Sequence, residues 1–419
     1  MFPVAPARRS GFRATRAGVH MTRPVTNSTW SARRRHGRPD RSAETILDRP
    51  LRIAQVAPPF ERVPPAAYGG TERIVHGLVV ELDRRGHDVT TFACGDSVVP
   101  GQLVATVAEA LRPSGFGGDA TPHVARTIAE VLGHANEFDV IHSHLEWANP
   151  LLAAASPTPV VSTFHGRLDL PWATRLLSAH PHRLVAISKD QAATHPDMDW
   201  TVVHNGLPLR DAPFESERSD DLCFVGRVTP EKGIVEAIEI AQASGRGLKI
   251  AAKAGPTPRE REYFENVFQP ALKAAGSSID YLGELVQADR DVLLSTSHAA
   301  LMPGAWPEPF GLVAIEALAC GTPVIARRIG ALPEIVRDGI DGWFGDDVTA
   351  MAFRVDRVAS LDRRAIRRSV LERFSVEAMA TAYEDVYRHA ANVIPLVQPV
   401  REPGSSRDES IGAAVGRGA

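Results

Sequence analysis

The sequence predicts an α/β protein built as two doubly wound parallel sheets that face each other across a cleft. Three observations carry that expectation: short apolar runs alternate with helical periodicities, the series breaks once and restarts, and each half is long enough to bury its own core.

The first series opens at Leu51. LRIAQVA is a short apolar strand, the glycine loop YGGTER follows, and ERIVHGLVVELDRRG carries apolar residues at helical spacing up to Gly86. HDVTTFAC, FDVIHSH, PVVSTFH, RLVAIS and TVVH are further apolar runs, separated by helix-like or turn segments. LPLRDAPFESERSD (207–220), rich in proline and charge, interrupts the pattern; DLCFVG, LKIAA, IDYLG, AALMPG and PVIA then form a second series. The break falls near 210–218. The expected organisation is a basic extension over 1–50, a first unit (the acceptor side) over 51–212 and a second (the nucleotide side) over 213–375. A helix over 376–393 closes back toward the first unit, and a tail covers 394–419. Ligands of open α/β sheets bind at the carboxyl ends of the strands, so the cleft is the expected site.

Charge is unevenly spread. The net −3 over 419 residues combines eleven Arg against three acids in residues 1–50 with 33 basic against 44 acidic groups in 51–393. An acidic body argues against a nucleic-acid binder. The Arg-, Pro- and Ser-rich start cannot bury enough apolar surface to fold, and reads as a disordered extension with Met21 as an alternative beginning. A surface-binding arm or a transit-like peptide are the other readings. The final 26 residues have the same character. No apolar run approaches the roughly 20 residues of a membrane span, and the start lacks the apolar core of a signal peptide, so the expected location is cytoplasmic. Cys94, Cys223 and Cys320 are far apart, without CxxC or clustered histidines, and read as buried structural thiols.

The first chemical element is FVGRVTPEKG. Its strand is expected to end at Val225, with Thr229 and Pro230 as helix N-cap and N1 and Lys232 in the first turn, where the helix dipole disfavours a cation. A charge set against a local rule points to function. Arg227 and Lys232 together suit a diphosphate at a helix N-terminus. The bland alternative has Lys232 solvating a helix end and Arg227 pairing with Glu231.

The second element is AWPEPFGLVAIEALACGTPVIA, a proline loop leading into a helix over Gly311–Ala319 that Gly321 and Pro323 stop. Glu308 precedes this helix and Glu316 lies about a turn and a half inside it. Carboxylates accept paired hydrogen bonds from neighbouring hydroxyls, which suits a sugar and a ribose. The unpaired amides near Phe310, Gly311 and Leu312 would point at phosphate. The alternative makes Glu308 a cap and Glu316 a surface ion-pair partner, but Glu316 sits in apolar IEALAC, and a buried acid needs a partner.

In YGGTER, Gly70 allows close backbone approach to a ligand and the helix expected near Thr71 adds amides. His142 and His144 follow one strand and His165 another, all at carboxyl ends. His165 is read as functional, while a packed, hydrogen-bonded role stays open for the pair. DMD at 197–199 and GFGG at 115–118 are set aside, the first as a loop away from the cations and the second as no dinucleotide fingerprint.

These residues resemble the retaining family 4 glycosyltransferases of GT-B architecture over about 51–393. GRVTPEKG and EPFGLVAIEALACGTPVIA carry the likeness in combination, with GGTERIV, HNG and YEDVY in support. Within that family, GGTERIVHGL, TFHGRLDLP and AAKAGPTPREREYF are similar to the avilamycin-type antibiotic-pathway branch. AAKAGPT departs from it, because members of the branch tend to carry an acid shortly after the lysine, Lys253 here. The resemblance implies that Arg227 and Lys232 bind the donor diphosphate, Glu308 contacts donor-sugar hydroxyls and Glu316 the nucleotide ribose. It likewise places Gly70 near the phosphates, His165 on the sugar and Glu284 near the base. It implies a nucleotide sugar as co-substrate, no further cofactor and no metal. The acceptor is open among a small molecule, a lipid-linked group and a polysaccharide. Retention would come from front-face attack assisted by the leaving phosphate; glycosidases instead use two opposed carboxyls about 5 to 9.5 Å apart. The rival readings are an epimerase or phosphorylase of the same architecture, and a nucleotide-sugar-binding protein without activity.

Overall fold

The structure, a computed structural model, describes residues 49–66, 69–255 and 257–392. Residues 1–48 and 393–419, which hold nearly all of the basic extension and the tail, lie outside the described residues. The chain is held from Arg49 onward, whose guanidinium makes two 3.0 Å hydrogen bonds to Asp139.

Among the described residues, β1 (Arg52–Val56), β2 (Asp88–Cys94), β3 (Gln102–Val107), β4 (Val140–Ser143), β5 (Val160–Phe164), β6 (Leu184–Ala186) and β7 (Trp200–Val202) form one sheet. Its order is β3-β2-β1-β4-β5-β6-β7, and every pair is parallel. The second sheet holds β8 (Leu222–Val228), β9 (Leu248–Ala254), β10 (Ile279–Gly283), β11 (Ala300–Met302), β12 (Val324–Ala326) and β13 (Gly342–Phe344). Its order is β10-β9-β8-β11-β12-β13, again parallel. Each sheet therefore reverses its strand order once, between β1 and β4 and between β8 and β11, which opens a crevice at the carboxyl ends there.

Helices cover the sheets because their apolar residues recur on one face. In helix Gly70–Arg84, Ile74, Leu78 and Leu82 are buried in the same core as Leu51 and Ile53; in helix Ile234–Ser244, Ile234, Ile238 and Ala241 join Leu222, Phe224 and Ile250. Truncating one of these, such as Leu78→Ala, costs about 2–5 kcal/mol. Helix Val376–Asn392 packs on helix Gly70–Arg84 and on β4 and β5, and its Tyr383 and Tyr387 are fully buried. Glu384 ties it down through Arg85 at 2.5 Å and His87 at 2.7 Å. The three cysteines are buried free thiols; burial pushes Cys94 and Cys320 up to about 12 and Cys223 to about 11. No helix among the described residues is long and apolar enough to cross a membrane.

Three local expectations need correction. The edge strands β3 and β13 stand where no strand was expected. β3 is half exposed at its start and β13 is three residues beginning with Gly342, so neither shows a buried apolar run. Third, β8 does not stop at Val225: its pairing with β9 continues from Leu222↔Leu248 through Val228↔Ala254. The continued ladder moves the helix start. Thr229 heads one 3-10 turn, Pro230–Lys232, its hydroxyl makes no cap, and the α-helix begins only at Ile234. Lys232 thus stands ahead of the helix, not in its first turn. DMD lies in the loop before β7, and GFGG in the turn after β3.

Candidate active site

Between the carboxyl ends of the two sheets lies a cavity of about 660 Å³, within the range of about 300–1,000 Å³ that small-molecule sites occupy. All ten residues singled out from the sequence border it: Gly70, His165, Arg227, Lys232, Glu284, Glu308, Phe310, Gly311, Leu312 and Glu316.

Two helix N-termini meet there. Helix Gly70–Arg84 starts behind Gly69, helix Leu312–Ala319 behind Gly311, and neither has a side-chain cap. A Cβ on Gly69 would lie 2.7 Å from Pro65, so only glycine fits that entry. A Cβ on Gly70 would sit 3.5 Å from Leu312, which shows how closely the two ends abut. Their first amides have no partner within the helix and leave positive potential at the cavity. The Phe310 ring is buried against Phe374, so this residue offers the cavity its backbone.

On the second-sheet wall the charges are paired. Lys232 hydrogen-bonds Glu308, so Glu308 does not cap the helix. Gly233, at φ 71°, makes this turn possible: a Cβ there would fall 2.7 Å from the Gly304 nitrogen. Arg227 reaches Glu260 at 3.1 Å and Glu231 at 3.8 Å. Glu231 was the partner of the bland reading, yet Glu260 is the nearer. Lys253 pairs with Glu284 at 3.2 Å. Glu316 is buried rather than on the surface, and its Oε1 accepts from Arg73 at 2.6 Å and Arg290 at 2.8 Å. Arg73 belongs to the first-sheet half, so this triad spans the cleft. Among the described residues, no group of three or more His, Cys, Asp or Glu side chains is placed to hold a metal ion.

The first-sheet wall is held by a neutral network. Gln55 donates through Nε2 to Tyr387 at 2.9 Å, and its Oε1 accepts from His144 Nε2 at 3.2 Å. His144 Nδ1 then accepts from His165 Nε2 at 2.9 Å, which leaves His165 Nδ1 unprotonated and without a partner. Tyr387 donates to His142 Nδ1 at 2.7 Å, and His142 Nε2 donates to Thr163 at 2.7 Å. Burial lowers His142 and His144 well below the ordinary imidazole value and His165 to about 4, so all three are neutral at pH 7. His142 and His144 are thus the packed, hydrogen-bonded pair, and of the three only His165 borders the cavity.

Two further acids border it. Burial pushes Glu72 and Glu146 each up to about 7, against the backbone N–H groups of His165 and Gly166 that Glu146 accepts at 2.9 and 3.4 Å.

A sequence model of the group 1 glycosyl transferases matches residues 209–369, and one of glycosyltransferase family 4 matches residues 68–211. A glycogen synthase of Mycobacterium tuberculosis (strain ATCC 25618 / H37Rv) is 30% identical over 392 residues, spanning 77% of this chain and 92% of that protein. The chain belongs to the group 1, family 4 glycosyltransferases. The crystal structure of AviGT4, a glycosyltransferase involved in avilamycin A biosynthesis, superposes on this glycosyltransferase with a TM-score of 0.61 at 26% identity, covering 82% of this chain and 99% of that one. The Anabaena protein HepE, solved in complex with UDP-glucose, shares the fold at a TM-score of 0.60 and 15% identity, over 82% and 100% of the two chains. The architecture is GT-B.

Sequence reasoning missed several residues that border the cavity of this transferase: Glu72, Arg73, Glu146 and Arg290. Two had a visible signal, because Arg73 stands in the glycine-led first turn of YGGTER and Glu146 two residues past a strand-end histidine. Arg290 had none, since its importance comes from Glu316, 26 positions away.

Proposed function

We propose that this glycosyltransferase moves a hexosyl group from a nucleoside-diphosphate sugar to an acceptor hydroxyl, with retention and without a metal ion. The observation that carries the reading is the convergence of Arg227, Lys232 and two uncapped helix N-termini on one cavity. As the glycosidic bond breaks, negative charge grows on the leaving diphosphate; fixed cations and amides stabilise it without reorganising. Glu308, beside Lys232, receives donor-sugar hydroxyls, and Glu316 receives the ribose while Arg73 and Arg290 orient it. Glu284 stands on the base side and His165 on the sugar side. The donor is bound mainly by 213–375 and the acceptor by 51–212, and UDP-glucose bound to a protein of the same fold favours a donor of that class. Neither Glu308 nor Glu316 acts as nucleophile, because Glu308 precedes and Glu316 lies within one and the same helix, instead of the two opposing each other across a bond. A cytoplasmic site of action is supported by three buried, unpaired thiols.

The test is a thermal-shift panel of nucleotide sugars in chelator, followed by turnover on the hit. A donor at 100 times its dissociation constant adds about 2.7 kcal/mol of stability. Turnover that disappears in chelator and returns with manganese refutes the metal-free reading. Conversion of donor with no acceptor present would favour an epimerase.

A further inference from the structure

We propose that the first-sheet wall of the cavity is a saccharide subsite, in which Trp147 and Trp172 stack on a neutral pyranose and Glu146 accepts from its hydroxyls, so that the acceptor is itself a sugar. This rests on the transferase reading above and adds the chemical class of acceptor to it.

Trp147 follows β4 and borders the cavity. Phe164 supports its ring from behind at 5.5 Å, and Trp172 meets it edge-on at 4.4 Å and 71°. Trp172 remains 49% exposed. From the opposite side of the cleft Trp306 also borders the cavity, with the Arg167 guanidinium 4.4 Å from its ring centre. Arg167 is locked by a two-pronged pair with Asp169, at 2.6 and 2.5 Å. Trp147 and Trp306 thus border the cavity from its two sides, and Trp172 stands against Trp147 just beyond the lining residues.

A pyranose has an apolar C–H face and a rim of hydroxyls, so its receptor needs flat aromatic surface interrupted by hydrogen-bonding groups. That is the pattern here. An acyl chain would need a continuous apolar trough, and Glu146, between Leu145 and Trp147, breaks this one. Glu146 itself has a left-handed backbone, φ 52°, a strained state for a residue with a side chain and a common mark of functional positions. Its geometry directs each carboxyl oxygen to one backbone N–H, of His165 and Gly166, and leaves the remaining lone pairs for hydroxyls.

The experiment uses the full chain, a panel of neutral gluco-, manno- and galacto-oligosaccharides with decyl phosphate as the apolar, anionic control, and binding read by tryptophan fluorescence. In parallel, the donor-induced thermal shift is recorded for wild type, Trp172→Ala and Trp172→Phe. The expected result is that wild type binds at least one oligosaccharide class, that Trp172→Ala weakens it tenfold or more, that Trp172→Phe retains most of it, and that the donor shift is equal in all three. No oligosaccharide binding with the donor shift intact overturns the subsite alone. Equal binding by Trp172→Ala, or preference for decyl phosphate, does the same. A wild type without any donor shift overturns the transferase reading and this inference together.

Discussion

On the first-sheet wall, Gln55, His142, His144, Thr163 and Tyr387 hold His165 through uncharged hydrogen bonds, all buried; on the second-sheet wall, Lys232, Arg227 and Lys253 are held by carboxylates that water still reaches. The contrast separates a floor from a grip. A buried neutral network is indifferent to salt and resists rearrangement, because any broken bond leaves a polar group stranded. Partly hydrated ion pairs contribute little stability, and their cations can exchange a carboxylate for an incoming phosphate at small cost. The Arg73–Glu316–Arg290 triad is intermediate: charged like one wall, buried like the other, and shared by both halves.

The largest effect on stability is therefore expected at the triad. Glu316→Ala strands the Arg73 guanidinium, leaves Arg290 only its 3.4 Å pair with Asp291, and should destabilise the fold by about 3–5 kcal/mol in urea denaturation; a near-neutral change would place the triad with the exchangeable pairs. Next come Lys232→Ala and Arg227→Ala, each expected to remove about 2.7–4 kcal/mol of transition-state stabilisation, read as kcat/KM. Their melting curves should move little, and near-normal turnover in both would dissolve the proposed grip. Tyr387→Phe removes the partner of Gln55 and of His142 and should cost about 1–3 kcal/mol. That loss should be the same at low and high salt, and a salt-dependent loss would erase the distinction between the walls.

The smallest expected effect is in pH. His165 is lowered to about 4, so its contribution is present above the unfolded value of about 6.5 and is lost as pH falls toward 4. Glu146 is raised to about 7, so its contribution is present below the unfolded value of about 4.5 and is lost as pH rises through 7. Glu146→Gln should then gain on wild type between pH 5 and pH 8, by on the order of 1–2 kcal/mol in urea melts. A difference that does not change with pH would show that Glu146 titrates as an ordinary surface acid.

The interior strands were legible because each is a short apolar run buried on both faces, as β1 and β5 show. Of the four edge strands, β7 and β10 were read as apolar runs while β3 and β13 were not, since they lack that signature. The same limit applied to the strand end at Arg227: residues 226–228 look like a turn, and only pairing with 252–254 keeps them extended. In the cavity, residues that advertise themselves locally were found, such as Gly70 and Gly311 at helix starts and Glu316 as an acid in an apolar helix. Glu146 gave a weaker signal, its place two residues past a strand-end histidine, and its left-handed backbone and its bonds to the His165 and Gly166 amides are visible only in the fold.

Alone, the order of residues determined two parallel sheets, the break between them and the residue types at the strand ends, because periodicity, glycine turns and helix starts act within a few positions of the chain. Tertiary structure decided which charges meet. Arg73 reaches Glu316 across 243 positions and Tyr387 reaches Gln55 across 332. Such partnerships arise only when packing removes water from both groups together, and no local window of sequence records where that happens.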